Sequence, residues 1–345
     1  MAKSLDDGLA FILKYKNIAW YENGVVRILD RRIYPIETKF VECRTHLEVA
    51  QAIKDMVTQS WGPYFAAVMG MALACYEAKN LGEKEFNYYI HQAGISLYKA
   101  RPTTSALMKK IVENGENKAL KAKAEGRDAV EATFNSAVAY CESVYAETGK
   151  MGKYLVEKFP KKGSVMTQCW AETVVGMMLR SIREEGKDIK FYCPETRPYF
   201  QGARLTASCI KDMGFDVTVI TDNMPGYVLE KKNIDLFTSA ADVICMDGTV
   251  VNKVGTFQIA LCSNYFNIPY YVTGIPNIAH PNRDSVTIEE RDPDLVLHAL
   301  KIKTTMKGVK GYYPAFDFTP PELVKGVITD KGCYQPNDLK SYFKD

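Results

Sequence analysis

From about residue 163 onward the chain repeats one pattern: a short run rich in Val, Ile and Tyr, a loop, then a helical stretch. The candidate strands are Ser164–Thr167, Ile189–Cys193, Asp216–Ile220, Asp242–Met246 and Ile268–Thr273, and the helical patterns between them are Ala171–Glu185, Gly202–Met213 and Lys253–Phe266. Short strands that alternate with helices predict a parallel sheet covered on both faces. A sheet of that kind binds its ligand beyond the C-terminal ends of its strands. The residues just after each strand are therefore the ones to inspect for chemistry.

The first half has a different texture. A short β-like start, Val25-Val26-Arg27-Ile28-Leu29, gives way to helical patterns. Thr45-His46-Leu47-Glu48 is a capping box, in which a hydroxyl and a carboxylate satisfy free backbone N–H groups. Val49, Ile53 and Met56 follow on one helix face. Ala66 to Ala78 is apolar nearly all round, which predicts a buried helix, and Lys118 to Lys150 predicts one long helix. Asp292-Pro293 suits the cap and first residue of a last helix. A length of 345 residues accommodates about two domains. The expectation is an α/β protein: a mainly helical N-terminal domain over 1–155 and a Rossmann-like catalytic domain over 156–345, with a boundary near 150–162.

Composition removes several function classes. The net charge of +3, without a run of five like charges, gives no footprint for nucleic acid. Nine cysteines without a Cys-x-x-Cys pair argue against a disulfide framework and against a zinc site. Free thiols point to a reducing compartment, so the expected location is the cytoplasm. The start, Met1-Ala2-Lys3-Ser4-Leu5-Asp6-Asp7, is acidic where a signal peptide is basic, and no apolar run reaches a membrane span. The four histidines, His46, His91, His280 and His298, are too scattered for a metal site. No metal and no cofactor is expected.

Two strand-end residues suit proton transfer. Cys169 follows Val165-Met166-Thr167-Gln168, and Asp247 follows Val243-Ile244-Cys245-Met246. Each is expected where a strand gives way, pointing into the crevice above the sheet. A cysteine at a helix N-terminus has a lowered pKa, and an aspartate in a dry pocket a raised one. One proton acceptor and one donor are the minimum for moving hydrogen between adjacent carbons. Against this stand two plain alternatives: a lone cysteine is more often a small core residue, and Asp247-Gly248 is also a turn signal. Glu195-Thr196-Arg197-Pro198, leading into Gln201-Gly202-Ala203-Arg204, and Asn252-Lys253-Val254-Gly255-Thr256 each precede a helical pattern, and helix N-termini suit phosphate. Structural ion pairing is an equal alternative for Arg197 and Arg204. Neither segment has the spacing of a nucleotide loop.

These segments, in this order, resemble the methylthioribose-1-phosphate isomerase family, which is related to the regulatory subunits of initiation factor 2B. The likeness rests on Leu29-Asp30-Arg31-Arg32 with Val41-Glu42-Cys43, Ala100-Arg101-Pro102-Thr103, Thr167-Gln168-Cys169, Glu195 through Thr206, Thr221-Asp222-Asn223-Met224, Asn252 through Thr256, Ile288-Glu289-Glu290-Arg291 and Thr319-Pro320-Pro321-Glu322. The resemblance implies an aldose–ketose isomerase that opens a 5-substituted ribose 1-phosphate and shifts hydrogen from C2 to C1. It implies a homodimer with a small sugar phosphate as its partner. It implies catalytic roles for Cys169 and Asp247 and substrate contacts for Arg101, Gln201, Asn252 and Lys253; the mechanism expected of the pair has Asp247 protonate the ring oxygen and the Cys169 thiolate take the C2 proton. The alternative is a non-catalytic sugar-phosphate or nucleotide sensor of the initiation factor 2B type.

The chain departs from the family's pattern in three places. Thr58-Gln59-Ser60-Trp61-Gly62-Pro63 stands where an Arg-Gly-Ala-Pro loop is usual. Gln168 and Trp170 flank the cysteine in place of His and Asn. The stretch from Asp247 to Asn252 is shorter than usual. These changes extend the expected substrates to 5-deoxyribose 1-phosphate.

Overall fold

A computed structural model describes residues 4–100 and 105–344. It divides into two compact units, Met1–Ala146 and Glu147–Asp345. The division falls inside a helix and not in a linker.

Unit 1 begins with helix α1 (Tyr15–Ile18) and an antiparallel sheet of β1 (Ala19–Glu22), β2 (Val25–Leu29) and β3 (Phe40–Cys43). Helices α2 (His46–Lys54), α3 (Gly62–Glu77), α4 (Glu83–Lys99), α5 (Ser105–Ala124) and α6 (Ala129–Val156) follow, the last continuing into unit 2. The capping box is half realised. The Thr45 hydroxyl accepts from the Glu48 N–H, but the Glu48 carboxylate accepts from Arg44 and not from Thr45. Helix α3 is buried from Gly62 to Cys75 except at Tyr64, as its apolar run predicts. The single helix expected over Lys118–Lys150 is two helices, because the chain turns at Gly126, whose φ of +68° suits glycine.

Unit 2 is built on a seven-stranded sheet. Its strands are β4 (Lys162–Gln168), β5 (Asp188–Pro194), β6 (Asp216–Ile220), β7 (Leu236–Ala240), β10 (Tyr270–Thr273), β14 (Gly326–Ile328) and β15 (Cys333–Tyr334). Their spatial order is β15-β14-β10-β7-β4-β5-β6. All neighbours pair in parallel except the edge pair β14 and β15. Helices α7 (Glu172–Glu184), α8 (Ser208–Asp212), α9 (Pro225–Lys231) and α10 (Thr256–Tyr265) supply connections. A π-helical stretch, Gly202–Ala207, leads into α8. A separate antiparallel sheet contains β8 (Val243–Ile244), β9 (Val250–Lys253) and β13 (Phe316–Thr319). A small hairpin pairs β11 (His298–Ala299) with β12 (Ile302–Lys303). The last α-helix expected at Asp292-Pro293 is a five-residue 3-10 helix, with the Asp292 carboxylate capping Asp294 as foreseen.

The strand order matters for function. From β4 the chain winds outward through β5 and β6, then returns to place β7 on the other side of β4. The crevice between the C-terminal ends of β4 and β7 is therefore a switch point, where neighbouring connections leave in opposite directions and make room for a ligand. One expected strand needs correcting. Asp242–Met246 is not a strand of the parallel sheet. That place belongs to Leu236–Ala240, and Val243–Ile244 pairs antiparallel with β9 instead.

Candidate active site

Cys169 sits one residue beyond β4, at the mouth of this crevice. Its φ is +59°, a left-handed conformation that costs a non-glycine residue of order 1–3 kcal/mol and collects at functional sites. The Thr206 hydroxyl donates to the Cys169 carbonyl and pins this backbone. Helix α7 starts only at Glu172, so the cysteine does not occupy a helix N-terminus. That removes the physical reason for a lowered pKa. Desolvation pushes the Cys169 thiol up to about 11, opposed by the Lys253 ammonium and the Trp170 N–H and reinforced by the Asp242 carboxylate. The helix-dipole reason for a thiolate is therefore absent, and burial favours the thiol instead.

A crevice opens at the ends of β4, β7 and β10. Cys169, Thr167, Thr206, Ser239 and Ala240 give it one side, and Val174, Val175 and Met178 of α7 give it an apolar side.

Lys253 ends β9 with its side chain buried. Its ammonium lies 3.4 Å from the Tyr313 hydroxyl and 4.8 Å from the Phe316 ring centroid. Desolvation lowers its pKa, while the Cys169, Asp242 and Glu289 charges raise it. Arg291 also acts on both groups, and it is held by Glu289 at 2.9 Å. Desolvation works against the Arg291 charge, but the Glu289 hydrogen bonds and charge outweigh it, and its pKa is raised.

Asp247 is placed differently from expectation. It lies exposed in the tight turn between β8 and β9, where its carboxylate accepts from the Thr249 N–H at 2.9 Å. The Gly248 N–H donates to the Cys245 carbonyl at 3.0 Å to close the turn. Desolvation, with the Asp247 charge added to it, raises the pKa of Cys245. The carboxylate that acts on both Cys169 and Lys253 is Asp242, two residues beyond β7. Sequence reasoning missed it by placing Asp242 inside a strand. The usable signal was position: Asp242 follows the β7 end much as Cys169 follows the β4 end.

The remaining site residues divide. Asn252 is buried and donates to the Thr256 hydroxyl at 3.0 Å. Gln201 is buried, and its Oε1 has no hydrogen-bond partner. Arg101 lies outside the described residues. Arg197 donates to the carbonyls of Val296 and His298, and Arg204 to that of Tyr199, so both hold backbone. The helix start expected at Asn252–Thr256 comes later in the chain. Helix α10 begins at Thr256, after Asn252 and Lys253 have completed a strand, and the N–H groups of Gly255 and Phe257 at its start donate to the Asp317 carboxylate. Among the described residues, no three His, Cys, Asp or Glu side chains gather as a metal-ligand set, and no helix is long and apolar enough to cross a membrane.

The pattern of the initiation factor 2 subunit family matches residues 63–336. Methylthioribose-1-phosphate isomerase 1 of Pseudothermotoga lettingae is 33% identical over 334 residues, covering 94% of this chain and 96% of that protein. Among solved structures, 5-methylthioribose 1-phosphate isomerase from Pyrococcus horikoshii OT3 superposes with a TM-score of 0.85 at 27% identity, covering 96% of each chain. The translation initiation factor eIF-2B, subunit delta, from A. fulgidus superposes with a TM-score of 0.79 at 31% identity, covering 92% of this chain and 95% of that one. The chain belongs to the initiation factor 2 subunit family, alongside the methylthioribose-1-phosphate isomerases, and is an isomerase-like enzyme.

Proposed function

We propose that the chain is an aldose–ketose isomerase that converts 5-methylthioribose 1-phosphate to the corresponding ribulose 1-phosphate. The observation that carries this is Cys169 itself, held in a left-handed conformation one residue beyond β4 and lining the switch-point crevice, with the charges of the buried Lys253 and the exposed Asp242 acting on its thiol. A sugar 1-phosphate is locked as a ring, so it must be opened before hydrogen can move.

The resting thiol reverses the roles expected from sequence. Cys169 gives its proton to the ring oxygen as the C1–O bond breaks, and the thiolate is stabilised by Lys253. The Asp242 carboxylate removes the C2 proton, leaving an enediol that still carries its phosphate at C1. Asp242 then returns that proton to C1, the O2 proton goes back to Cys169, and the ketone forms. Both groups end as they began, so no cofactor is consumed. Assigning the base to Asp242 in place of Asp247 lengthens the stretch to Asn252 from five residues to ten, the direction in which the family's longer loop differs. A hydride shift from C2 to C1 is the competing route, and loss of C2 deuterium to solvent rules it out.

The apolar side of the cavity suits a thioether or a bare methyl at C5, which brings in 5-deoxyribose 1-phosphate as a second substrate. The enzyme is proposed to act in the cytoplasm as a homodimer. The test is kcat/KM on methylthioribose 1-phosphate, 5-deoxyribose 1-phosphate and ribose 1,5-bisphosphate. Conversion of the first two and not the third is expected. The likeness to the A. fulgidus initiation factor subunit favours a second reading, a non-catalytic regulatory sensor. No ketose from any of the three, with a raised melting temperature in one, establishes that reading instead.

A further inference from the structure

Gln168 is the last residue of β4 and lies directly before Cys169. Its side chain is buried. Its amide faces two other loops of the same crevice. Nε2 donates to the Val254 carbonyl at 3.4 Å, in the segment that follows Lys253. Oε1 lies 3.4 Å from the Thr196 hydroxyl, in the segment that follows β5, and shares that hydroxyl's single proton with the Pro194 carbonyl at 3.2 Å. Thr196 is itself held in a left-handed conformation, φ +61°, and its N–H donates to the Asp222 carboxylate at 2.7 Å. On the far side, Gly255 leaves just enough room: a Cβ there would press on Gln168 Nε2 at 3.2 Å. One amide therefore joins the cysteine loop, the Thr196 loop and the lysine-bearing strand.

We infer that Gln168 is a positioning residue for the isomerase site, holding the Val254 peptide so that the preceding Lys253 stays fixed relative to the Cys169 loop. The inference rests on the isomerase reading only for its kinetic consequence. An amide does this because it presents a donor on one side and an acceptor on the other. A neutral imidazole has the same two faces, and a leucine side chain of similar size has neither.

The test follows Cys169 itself. Alkylation of the Cys169 peptide by iodoacetamide is measured by mass spectrometry between about pH 7 and pH 10, a range that reports the thiolate fraction. In Gln168→Leu the rate at fixed pH is expected to fall roughly threefold or more, with kcat falling roughly tenfold and KM moving far less. Gln168→His is expected to restore most of both. Thr196→Val, which deletes one of the two Gln168 bonds together with the Thr196 bond to the Pro194 carbonyl and changes the shape little, should fall between wild type and Gln168→Leu and covers the case in which leucine disturbs folding. An unchanged alkylation profile in both Gln168→Leu and Thr196→Val overturns the inference. So does an equal loss in Gln168→Leu and Gln168→His, which marks a packing role. A shifted profile in a protein that turns over none of the three sugar phosphates upholds the positioning role while the isomerase reading fails.

Discussion

The Asp317 carboxylate accepts the Gly255 N–H at 2.6 Å and the Phe257 N–H at 3.2 Å, so the start of α10 already holds an anion. Desolvation pushes Asp317 from 3.8 up to about 6, against the pull of these two N–H groups and of Lys253. Below about pH 4 the carboxyl is protonated whether the chain is folded or not. Between about 4 and 6 the unfolded chain gives up the proton first, so this group's contribution to stability is lost as pH rises. Asp317→Asn cannot titrate. It is expected to be less stable than wild type at about pH 4, because one acceptor is lost, and the gap should narrow toward about pH 6. Thermal unfolding of both proteins across that range checks the sign.

The Cys169 thiol near 11 predicts slow alkylation at neutral pH, rising about tenfold per pH unit without a plateau below pH ~9. A plateau near neutrality would mean a stable thiolate and would return the base role to sulfur. Cys169→Ser should abolish turnover with little change in melting temperature.

Lys253→Met separates stability from activity. A buried ammonium is costly to desolvate, and Met fills similar volume without a charge. The variant is expected to melt at the same temperature or higher, while kcat/KM falls by roughly a hundredfold, about 2.7 kcal/mol of transition-state stabilisation. Calorimetry and steady-state kinetics on one preparation decide it.

Asp242→Asn and Asp247→Asn distinguish the two carboxylates. Loss of turnover is expected in the first. The second should keep most of its activity and lose at most about 1 kcal/mol from a weakened turn. The reverse pattern would restore the role first expected for Asp247.

Gly202→Ala tests the backbone beside Gln201. A Cβ there would lie 1.8 Å from the Pro194 carbonyl oxygen, which is backbone and cannot move aside. A destabilisation of about 1–3 kcal/mol, read from the denaturant midpoint, is expected.

Much of the parallel sheet was legible, because β4, β5, β6 and β10 are short apolar runs bounded by polar turns. Strand β7 was not. Its sequence, Leu236 to Ala240, puts Thr238 and Ser239 at buried positions, where they hydrogen-bond to the Tyr271 carbonyl and the Tyr270 hydroxyl. A strand whose polar groups are satisfied by its neighbour does not look like a core strand in isolation. The apolar run after it, Val243 to Met246, took its place in the sequence reading and hid Asp242. Cys169 was legible as a strand-end residue. Its raised pKa was not, because that depends on where α7 begins and on how much water reaches the sulfur. Asp317 gave no signal at all, since it reaches the α10 start from 62 residues away.

The π-helical turn at Gly202–Ala207 is, in register terms, an α-helix carrying one surplus residue. Each helical residue advances the side-chain direction by about 100°. The surplus residue therefore turns everything before it by that amount relative to α8. Cys209 and Ile210 bury themselves as α8 requires, while Gln201 faces a direction that an unbroken α-helix would deny it. Deleting a single residue between Gly202 and Ala207 would mend the helix and sweep the Gln201 amide about a quarter-turn away. The unpaired Oε1 of Gln201 is thus set by a count of residues as much as by their identity.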